Sequence, residues 1–138
     1  MSDLGEIMRT KLKTITADES SMVAARRMRD EGIGSLLVVK NGDYVGILTE
    51  TDFVRKAAAE GKNVSTLSVE ELMHQPIVSI ESTRTVREAM DRMGDFGVRH
   101  LVVLKAGKVA GMVSVRDILL YYKSYAKPSY SEPNITQD

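Results

Sequence analysis

The sequence predicts a mixed α/β (α+β) fold in which two β-α-β-β-α repeats pack about a pseudo-twofold axis. Residues 6–53 match residues 71–118 at a constant offset of 65, with 14 identities in 48 positions and no gap. Within each copy, apolar residues first follow a helical spacing and then fill two short extended runs. A three-stranded sheet in about 60 residues buries too little surface to be stable alone. The 138-residue chain is therefore expected to form one module from both copies.

A short helix and a short strand open each copy. The motifs Asp3-x-x-Glu6 and Ser68-x-x-Glu71 have the form of capping boxes, in which the two side chains satisfy free N–H groups at a helix start. An extended segment follows, at 13–16 in the first copy and at 77–81 in the second.

The second predicted helix carries an apolar stripe. In the second copy the stripe consists of Val86, Ala89, Met90 and Met93. This spacing is typical of an amphipathic helix with one buried face. The first-copy counterpart, 22–28, has a weaker stripe that includes Met28, and the methionines of both stripes are expected in the core. Gly32 and Gly97 are predicted to end these helices.

A hairpin and a final helix complete each copy. Strands at 36–39 and 44–48 flank Asn41-Gly42, a dipeptide that favours a type I′ turn. The second copy has strands at 101–104 and 109–113 around Ala106-Gly107. The last helix is expected to start after Thr49 in the first copy and after Ser114 in the second.

The predicted organisation is a first repeat at 3–60, a linker at 61–67, a second repeat at 68–122 and a C-terminal tail at 123–138. From Lys127 onward the tail has no hydrophobic periodicity, so it is not expected to fold by itself.

Composition excludes several classes of function. The chain has no Cys, which removes disulfides, thiolate catalysis and Cys-type zinc sites. Its formal net charge is zero, so bulk electrostatics give no basis for a nucleic-acid or anionic-membrane partner. No apolar run approaches the ~20 residues of a membrane span, and the N-terminus has no apolar signal core. A cytoplasmic location is therefore expected.

Catalytic and metal sites are not expected either. No nucleophile with a base beside it can be assembled from the sequence, so the protein is predicted not to be an enzyme. The two histidines, His74 and His100, have no carboxylate at ligand spacing, so no metal site is predicted. His74, which precedes Gln75-Pro76, is interpreted as a loop residue.

The sharpest motif is [Ser/Thr]-x-x-Asp, which follows a buried strand in both copies, at 49–52 and 114–117. One interpretation is structural: the hydroxyl and the carboxylate cap the helix that begins there. The other is functional, because a helix N-terminus offers N–H groups to phosphate and an Asp beside it can accept the hydroxyls of a ribose. The two interpretations are compatible.

These features resemble a known family. The tandem repeat, Gly-Val-Arg-His-Leu-Val-Val at 97–103, and Gly-x-x-[Ser/Thr]-x-x-Asp in both copies are similar to paired cystathionine β-synthase (CBS) domains, also called a Bateman module, here of the stand-alone type. The resemblance covers about residues 3–122. It implies two ligand clefts between the repeats, each mixing residues from both.

The first implied cleft consists of Ile47, Thr49, Thr51, Asp52, Val78, Val98, Arg99 and His100. The second consists of Lys13, Ile33, Gly34, Ser35, Met112, Ser114, Arg116 and Asp117.

The resemblance also implies a role for these residues. Asp52, supported by Thr49, and Asp117 would hold ribose hydroxyls. Val98 and Ile47 would sandwich an adenine. Arg99, His100 and Thr51 would face phosphate in the first cleft, and Arg116 would do so in the second, with Lys13 as a further cation. Since the first cleft draws two potential cations from Arg99 and His100, we expect it to bind more tightly.

The function implied is a non-enzymatic sensor. It would require no cofactor and would bind an adenine nucleotide (AMP, ADP or ATP), NAD or S-adenosylmethionine as an effector, signalling to an effector protein that the sequence does not name. The family commonly dimerises through its helices, so a homodimer is expected, and the apolar run at 119–122 with Tyr125 is either internal packing or such an interface. The alternative is a structural interaction module with empty or vestigial clefts.

Overall fold

The computed structural model describes residues 3–125. The first copy contains α1 (Leu4–Ile7), β1 (Thr14–Thr16), α2 (Ser21–Glu31), β2 (Ser35–Lys40), β3 (Asp43–Thr49) and α3 (Glu50–Asp52), which continues as a π-helical turn (Phe53–Ala57) and a 3-10 turn (Ala58–Glu60). The second contains α4 (Val69–Leu72), β4 (Ser79–Glu81), α5 (Val86–Phe96), β5 (His100–Lys105), β6 (Lys108–Ser114) and α6 (Val115–Tyr125). The predicted order of elements is confirmed in both copies.

Each copy contributes one three-stranded sheet. The strand orders are β1-β2-β3 and β4-β5-β6. In each sheet the first pair is parallel and the second is an antiparallel hairpin. Both predicted hairpin turns have positive φ at both central residues, 51° and 83° at Asn41-Gly42, and 53° and 78° at Ala106-Gly107, as a type I′ turn requires.

The helix boundaries follow the predicted capping chemistry, with one exception. Gly32 and Gly97 end α2 and α5 in the left-handed conformation, with φ of 65° at each. The Ser68 hydroxyl and the Glu71 carboxylate form a complete capping box on α4. Asp3 makes no side-chain cap bond on α1, and the Glu6 N–H donates to the Asp3 backbone carbonyl at 3.2 Å.

The two leading helices are exchanged between the copies. Leu4 of α1 is fully buried in the hydrophobic core of the second copy, and its N–H donates to the Arg84 carbonyl at 3.0 Å. Val69 of α4 is buried in the core of the first copy and donates to the Glu19 carbonyl at 2.8 Å. The duplicated stretch of sequence is therefore not the packing unit, since each core is completed by a helix from the other copy.

The faces of the two sheets that point away from these cores are also buried. Leu37, Ile47 and Val102 are at most 4% exposed, yet they belong to neither core cluster. Because successive strand residues point to opposite faces, these side chains lie on the faces that the two copies turn toward each other. The copies thus bury a second apolar layer that neither could cover alone.

Two glycines at equivalent positions permit a close approach between the copies. A Cβ on Gly46 would lie 2.5 Å from the Met73 sulfur and 2.9 Å from the His74 carbonyl oxygen, and one on Gly111 would lie 2.6 Å from the Arg9 carbonyl oxygen. In both places the chain leaving a leading helix forms a β-bridge with the other copy's hairpin. A side chain at either position would therefore force the neighbouring backbone to shift.

One predicted core residue is exposed. Met28 and Met93 are each 6% exposed, whereas Met90 is 41% exposed, so its assignment to the core is wrong. Met90 lies at the edge of the apolar stripe of α5, where its sulfur accepts a hydrogen bond from the Tyr122 hydroxyl at 3.8 Å.

The C-terminal helix extends beyond the predicted end of the second repeat. α6 continues to Tyr125, and the remainder of the predicted tail, 126–138, lies outside the described residues. Of the helices in the described part, none combines the length and apolarity needed to cross a membrane.

Candidate functional site

The [Ser/Thr]-x-x-Asp motif forms the same hydrogen-bonded turn in both copies. Asp52 is 4% exposed, and its Oδ2 accepts the Thr49 N–H at 2.9 Å and the Thr49 hydroxyl at 3.2 Å. Asp117 Oδ2 accepts the Ser114 N–H at 2.8 Å and the Ser114 hydroxyl at 2.9 Å. The capping role predicted for the motif is therefore confirmed in both copies. The other oxygen of each carboxylate, Oδ1, contacts a cationic side chain.

A cationic or potentially cationic side chain from the other copy contacts each Asp. His74 Nδ1 lies 3.0 Å from Asp52 Oδ2, and Arg9 Nε lies 2.8 Å from Asp117 Oδ1. Positions 9 and 74 are related by the 65-residue offset, so one pseudosymmetric contact occurs twice. Each pair joins the second residue after an exchanged leading helix to the Asp of the other copy.

Sequence reasoning missed this contact. It assigned Arg9 no role and interpreted His74 only as a loop residue, whereas the His74 ring binds a buried carboxylate. The available signal was the identity of Met8 and Met73, which places Arg9 and His74 at equivalent positions.

A further cation contacts Asp52. Lys56 Nζ lies 3.2 Å from Asp52 Oδ1 and donates to the carbonyls of Leu72 and Met73, at 3.2 Å each. In the described part of the second copy, Asp117 has a salt bridge with Arg9 and none with a lysine. The two carboxylate sites therefore differ by one ammonium group.

The surroundings of Asp52 keep it ionised. Burial opposes ionisation, but hydrogen bonds from His74, the Thr49 backbone and Lys56 outweigh it and lower the pKa of Asp52. An ionised carboxylate accepts hydrogen bonds on both oxygens, which is the property that ribose hydroxyls would use.

His100 lies where the two predicted clefts meet. It is half-buried, and this burial lowers the pKa of the His100 imidazole, while the charge of Asp117 acts in the opposite direction. A Cβ on Gly34 would lie 4.0 Å from His100 Nε2 and 2.7 Å from Glu50 Oε1. His100, assigned to the first predicted cleft, therefore lies next to Gly34, assigned to the second.

The remaining predicted phosphate-facing residues are on the surface. Thr51, Arg99 and Arg116 are exposed, and within the described part of the chain neither arginine forms a salt bridge, which leaves both guanidinium groups accessible. Lys13 is engaged elsewhere, because its Nζ lies 2.9 Å from Glu31 Oε1.

The apolar and small residues of the predicted clefts are spread over three environments. Ile33 packs against the first core, and Val78 and Val98 pack against the second. Ile47 and Met112 lie on the inter-copy faces, paired with Leu37 and Val102 in their hairpins. Ser35 is half-buried and pairs with Thr49.

A tandem, pseudosymmetric pair of β-α-β-β-α repeats, with an acidic turn at the end of each hairpin, defines the class of this protein. The family model for the CBS domain matches residues 4–59 and 69–124, and the chain belongs to the CBS-domain family. CBS-domain proteins are regulatory modules, and those made of CBS domains alone are typically non-catalytic.

Known proteins resemble the chain in sequence and in fold. An uncharacterized protein of Methanopyrus kandleri is 37% identical over 118 residues, which cover 84% of this chain and 60% of that protein's length. A CBS-domain protein structure from Burkholderia ambifaria has a TM-score of 0.88 at 29% identity, covering 94% of this chain and 100% of that one. A hexameric CBS-CP12 protein from bloom-forming cyanobacteria has a TM-score of 0.81 at 28% identity, covering 94% and 76%.

Proposed function

We propose that this protein is a regulatory module that binds an adenosine-containing ligand in the clefts between its CBS repeats. AMP, ADP, ATP, NAD and S-adenosylmethionine are the candidate ligands, and binding would be transmitted to an effector protein. The observation that carries the proposal is the buried, ionised Asp52 beside the Thr49 hydroxyl, repeated in the second copy by Asp117 and Ser114.

The geometry supports a route from binding to signalling. A ribose hydroxyl that donates to Asp52 would share the carboxylate with His74, which comes from the other copy. Binding would therefore change a contact that joins the two copies, and Arg99 and Arg116 are accessible to phosphate groups. An effector that favours one arrangement of the copies over another by about 1–3 kcal/mol would suffice for regulation.

Titration calorimetry with AMP, ATP, NAD and S-adenosylmethionine tests the proposal. At least one ligand should bind, and Asp52→Ala should weaken binding more than Asp117→Ala, because the first cleft has the larger share of potential cations. Asp43→Ala, at an exposed hairpin residue, is the matched control and should bind like the unaltered protein. Absence of binding by all four ligands at millimolar concentration would overturn the proposal.

The exposed apolar surface supports the proposal of a homodimer. Large side chains on α5 and α6 are 47–70% exposed: Phe96, Leu119, Leu120, Tyr122 and Tyr125. Monomeric proteins rarely expose a contiguous apolar patch of this kind without a partner. Light scattering should give twice the monomer mass, and Leu119→Glu should reduce it to one, whereas Tyr44→Glu on the first hairpin should not. A monomer at all concentrations would contradict a homodimer.

A structural module with empty clefts is the second candidate. It is favoured by one observation: protein groups already satisfy both Asp carboxylates. Absorbance near 260 nm in the purified protein, which has no Trp, would indicate bound nucleotide and would exclude this candidate.

A further inference from the structure

The start of α3 contacts the chain just before β2, and the start of α6 makes the same contact just before β5. The Glu50 N–H donates to the Gly34 carbonyl at 3.3 Å. The Val115 N–H donates to the Arg99 carbonyl at 3.0 Å. These hydrogen bonds show that Gly34 and Arg99 are equivalent in the structure as well as in the sequence. The same holds for Glu50 and Val115, because the π-helical turn of the first copy begins only at Phe53.

The side chains at this contact differ in charge between the two copies. The second copy has a guanidinium group before β5, on Arg99, and an apolar side chain at the helix start, on Val115. The first copy has no side chain before β2, at Gly34, and a carboxylate at the helix start, on Glu50. A Cβ on Gly34 would lie 2.7 Å from Glu50 Oε1. The Glu50 carboxylate therefore occupies the space that a side chain at position 34 would enter.

The Glu50 carboxylate has no partner that neutralises it within residues 3–125. Glu50 is exposed, and in this part of the chain its carboxylate forms neither a salt bridge nor a side-chain hydrogen bond. His100 Nε2 lies 4.0 Å from the same Cβ position on Gly34, but burial lowers the pKa of the His100 imidazole. Since an imidazole with a lowered pKa is uncharged at neutral pH, His100 does not offset the Glu50 charge.

The two predicted clefts therefore differ in charge. Gly34 belongs to the second cleft, which gains the carboxylate of Glu50 at this point. Arg99 belongs to the first cleft, where it supplies a guanidinium group at the equivalent point. The first cleft also has Lys56, whose Nζ lies 3.2 Å from Asp52 Oδ1. Because like charges repel and opposite charges attract, a phosphate group is favoured in the first cleft and opposed in the second.

The cations near the second cleft leave this difference in place. Arg9 Nε is paired with Asp117 Oδ1 at 2.8 Å. Lys13 Nζ is paired with Glu31 Oε1 at 2.9 Å. Arg116 is the remaining cation of the predicted set, and the Glu50 carboxylate offsets its charge.

We propose that Glu50 is a specificity-determining residue that keeps phosphate-bearing ligands out of the second cleft, so that each chain binds one adenine nucleotide, in the first cleft. This inference rests on the proposed nucleotide binding and adds which cleft accepts phosphate. Because the discrimination is electrostatic, it should increase along the series adenosine, AMP, ADP and ATP, and it should decrease as the salt concentration rises.

Calorimetric titration of the full chain with ATP at low ionic strength tests the inference through the stoichiometry. The unaltered protein should bind one ATP per chain. Glu50→Gln removes the charge with little change of shape and should add a second site, with an affinity about tenfold or more above that of the second cleft in the unaltered protein. Adenosine, which carries no phosphate, should bind to both proteins alike. Combining Glu50→Gln with Asp117→Ala should remove the added site, which locates it in the second cleft.

A reciprocal variant and a matched control sharpen the test. Val115→Glu places a carboxylate at the equivalent point of the first cleft, next to Arg99, and should weaken the single ATP site by about tenfold. Glu60→Gln removes another exposed carboxylate of the first copy, one that pairs with Lys62 outside both predicted clefts. This control should bind one ATP per chain with unchanged affinity.

Three results would overturn the inference. One is a stoichiometry of two ATP per chain in the unaltered protein. Another is a Glu50→Gln variant that binds ATP exactly as the Glu60→Gln control does. The third is an equal gain for adenosine and ATP in Glu50→Gln, since a neutral ligand does not respond to charge. Absence of nucleotide binding in every variant would instead defeat the proposed function, and this inference with it.

Discussion

Replacing Asp52 with Asn should destabilise the protein more than the equivalent change at Asp117. The Asp52 carboxylate receives the Thr49 N–H and hydroxyl on one oxygen and contacts His74 and Lys56. Asn has the same shape, but one of its two oxygen positions becomes an NH₂ group. That group must point either at the Thr49 donors or at Lys56, where donor would face donor. It also removes the negative charge that Lys56 neutralises.

The magnitude follows from burial. Breaking a buried ion pair by removing one partner costs about 3–5 kcal/mol, but the Lys56 and His74 side chains are 40% and 32% exposed and recover some hydration. We therefore expect a loss of about 3 kcal/mol for Asp52→Asn. Arg9 is 52% exposed, so its pair with Asp117 resembles a surface salt bridge, and Asp117→Asn should cost about 1 kcal/mol.

Urea unfolding followed by circular dichroism measures the difference. With a slope of about 2 kcal/mol/M, the midpoint should fall by about 1.5 M for Asp52→Asn and by about 0.5 M for Asp117→Asn. Equal losses in the two variants, or an Asp52→Asn midpoint within error of the unaltered protein, would refute this account of the Asp52 contacts.

Three further predictions concern stability. Gly46→Ala and Gly111→Ala should each lower the free energy of unfolding by about 1–3 kcal/mol through overpacking. Gly94→Ala, where a Cβ meets nothing within 4 Å, should instead raise it by about 0.5–1 kcal/mol; equal effects in urea melts would contradict the close approach. Ala106→Gly should raise it by about 1 kcal/mol, because Ala106 has a φ of 53°, and a lower midpoint would oppose that reasoning. Because burial lowers the pKa of His100, the unfolded chain takes up a proton first, so stability should decline as the pH falls below about 6.5. His100→Asn should flatten this decline, and an unchanged pH profile would count against it.

The elements of the fold were predictable because the signals that specify them are local. Gly32 and Gly97 supply left-handed helix ends, and Asn41-Gly42 supplies a hairpin turn, whatever the rest of the chain does. Because the repeat has no gap, the same helix ends and hairpin turn are predicted at corresponding positions of the second copy. Met90 shows the limit of periodicity, since helical spacing places a residue near the buried face without fixing where that face ends.

The exchange of the leading helices could not be predicted from a symmetric sequence. Because the two copies are nearly equivalent, α1 could cover the core of either copy with similar apolar contacts. The path of the chain from α1 to β1 in three dimensions decides which core it covers. The contacts of Arg9 and His74 with the Asp residues depend on this exchange, as does the requirement for glycine at 46 and 111. The sequence therefore predicted the turns that hold Asp52 and Asp117, but not the side chains that contact these carboxylates.

The central claim is that a ribose-bearing ligand binds at Asp52 between the two copies. A crystal structure of the protein grown with the tightest ligand from the calorimetric series tests it most directly. The account predicts ribose hydroxyls within hydrogen-bond distance of the Asp52 carboxylate, with His74 or Lys56 displaced from its present contact and phosphate near Arg99. A saturated ligand bound elsewhere, with the contacts from Asp52 to His74 and Lys56 intact, would contradict it.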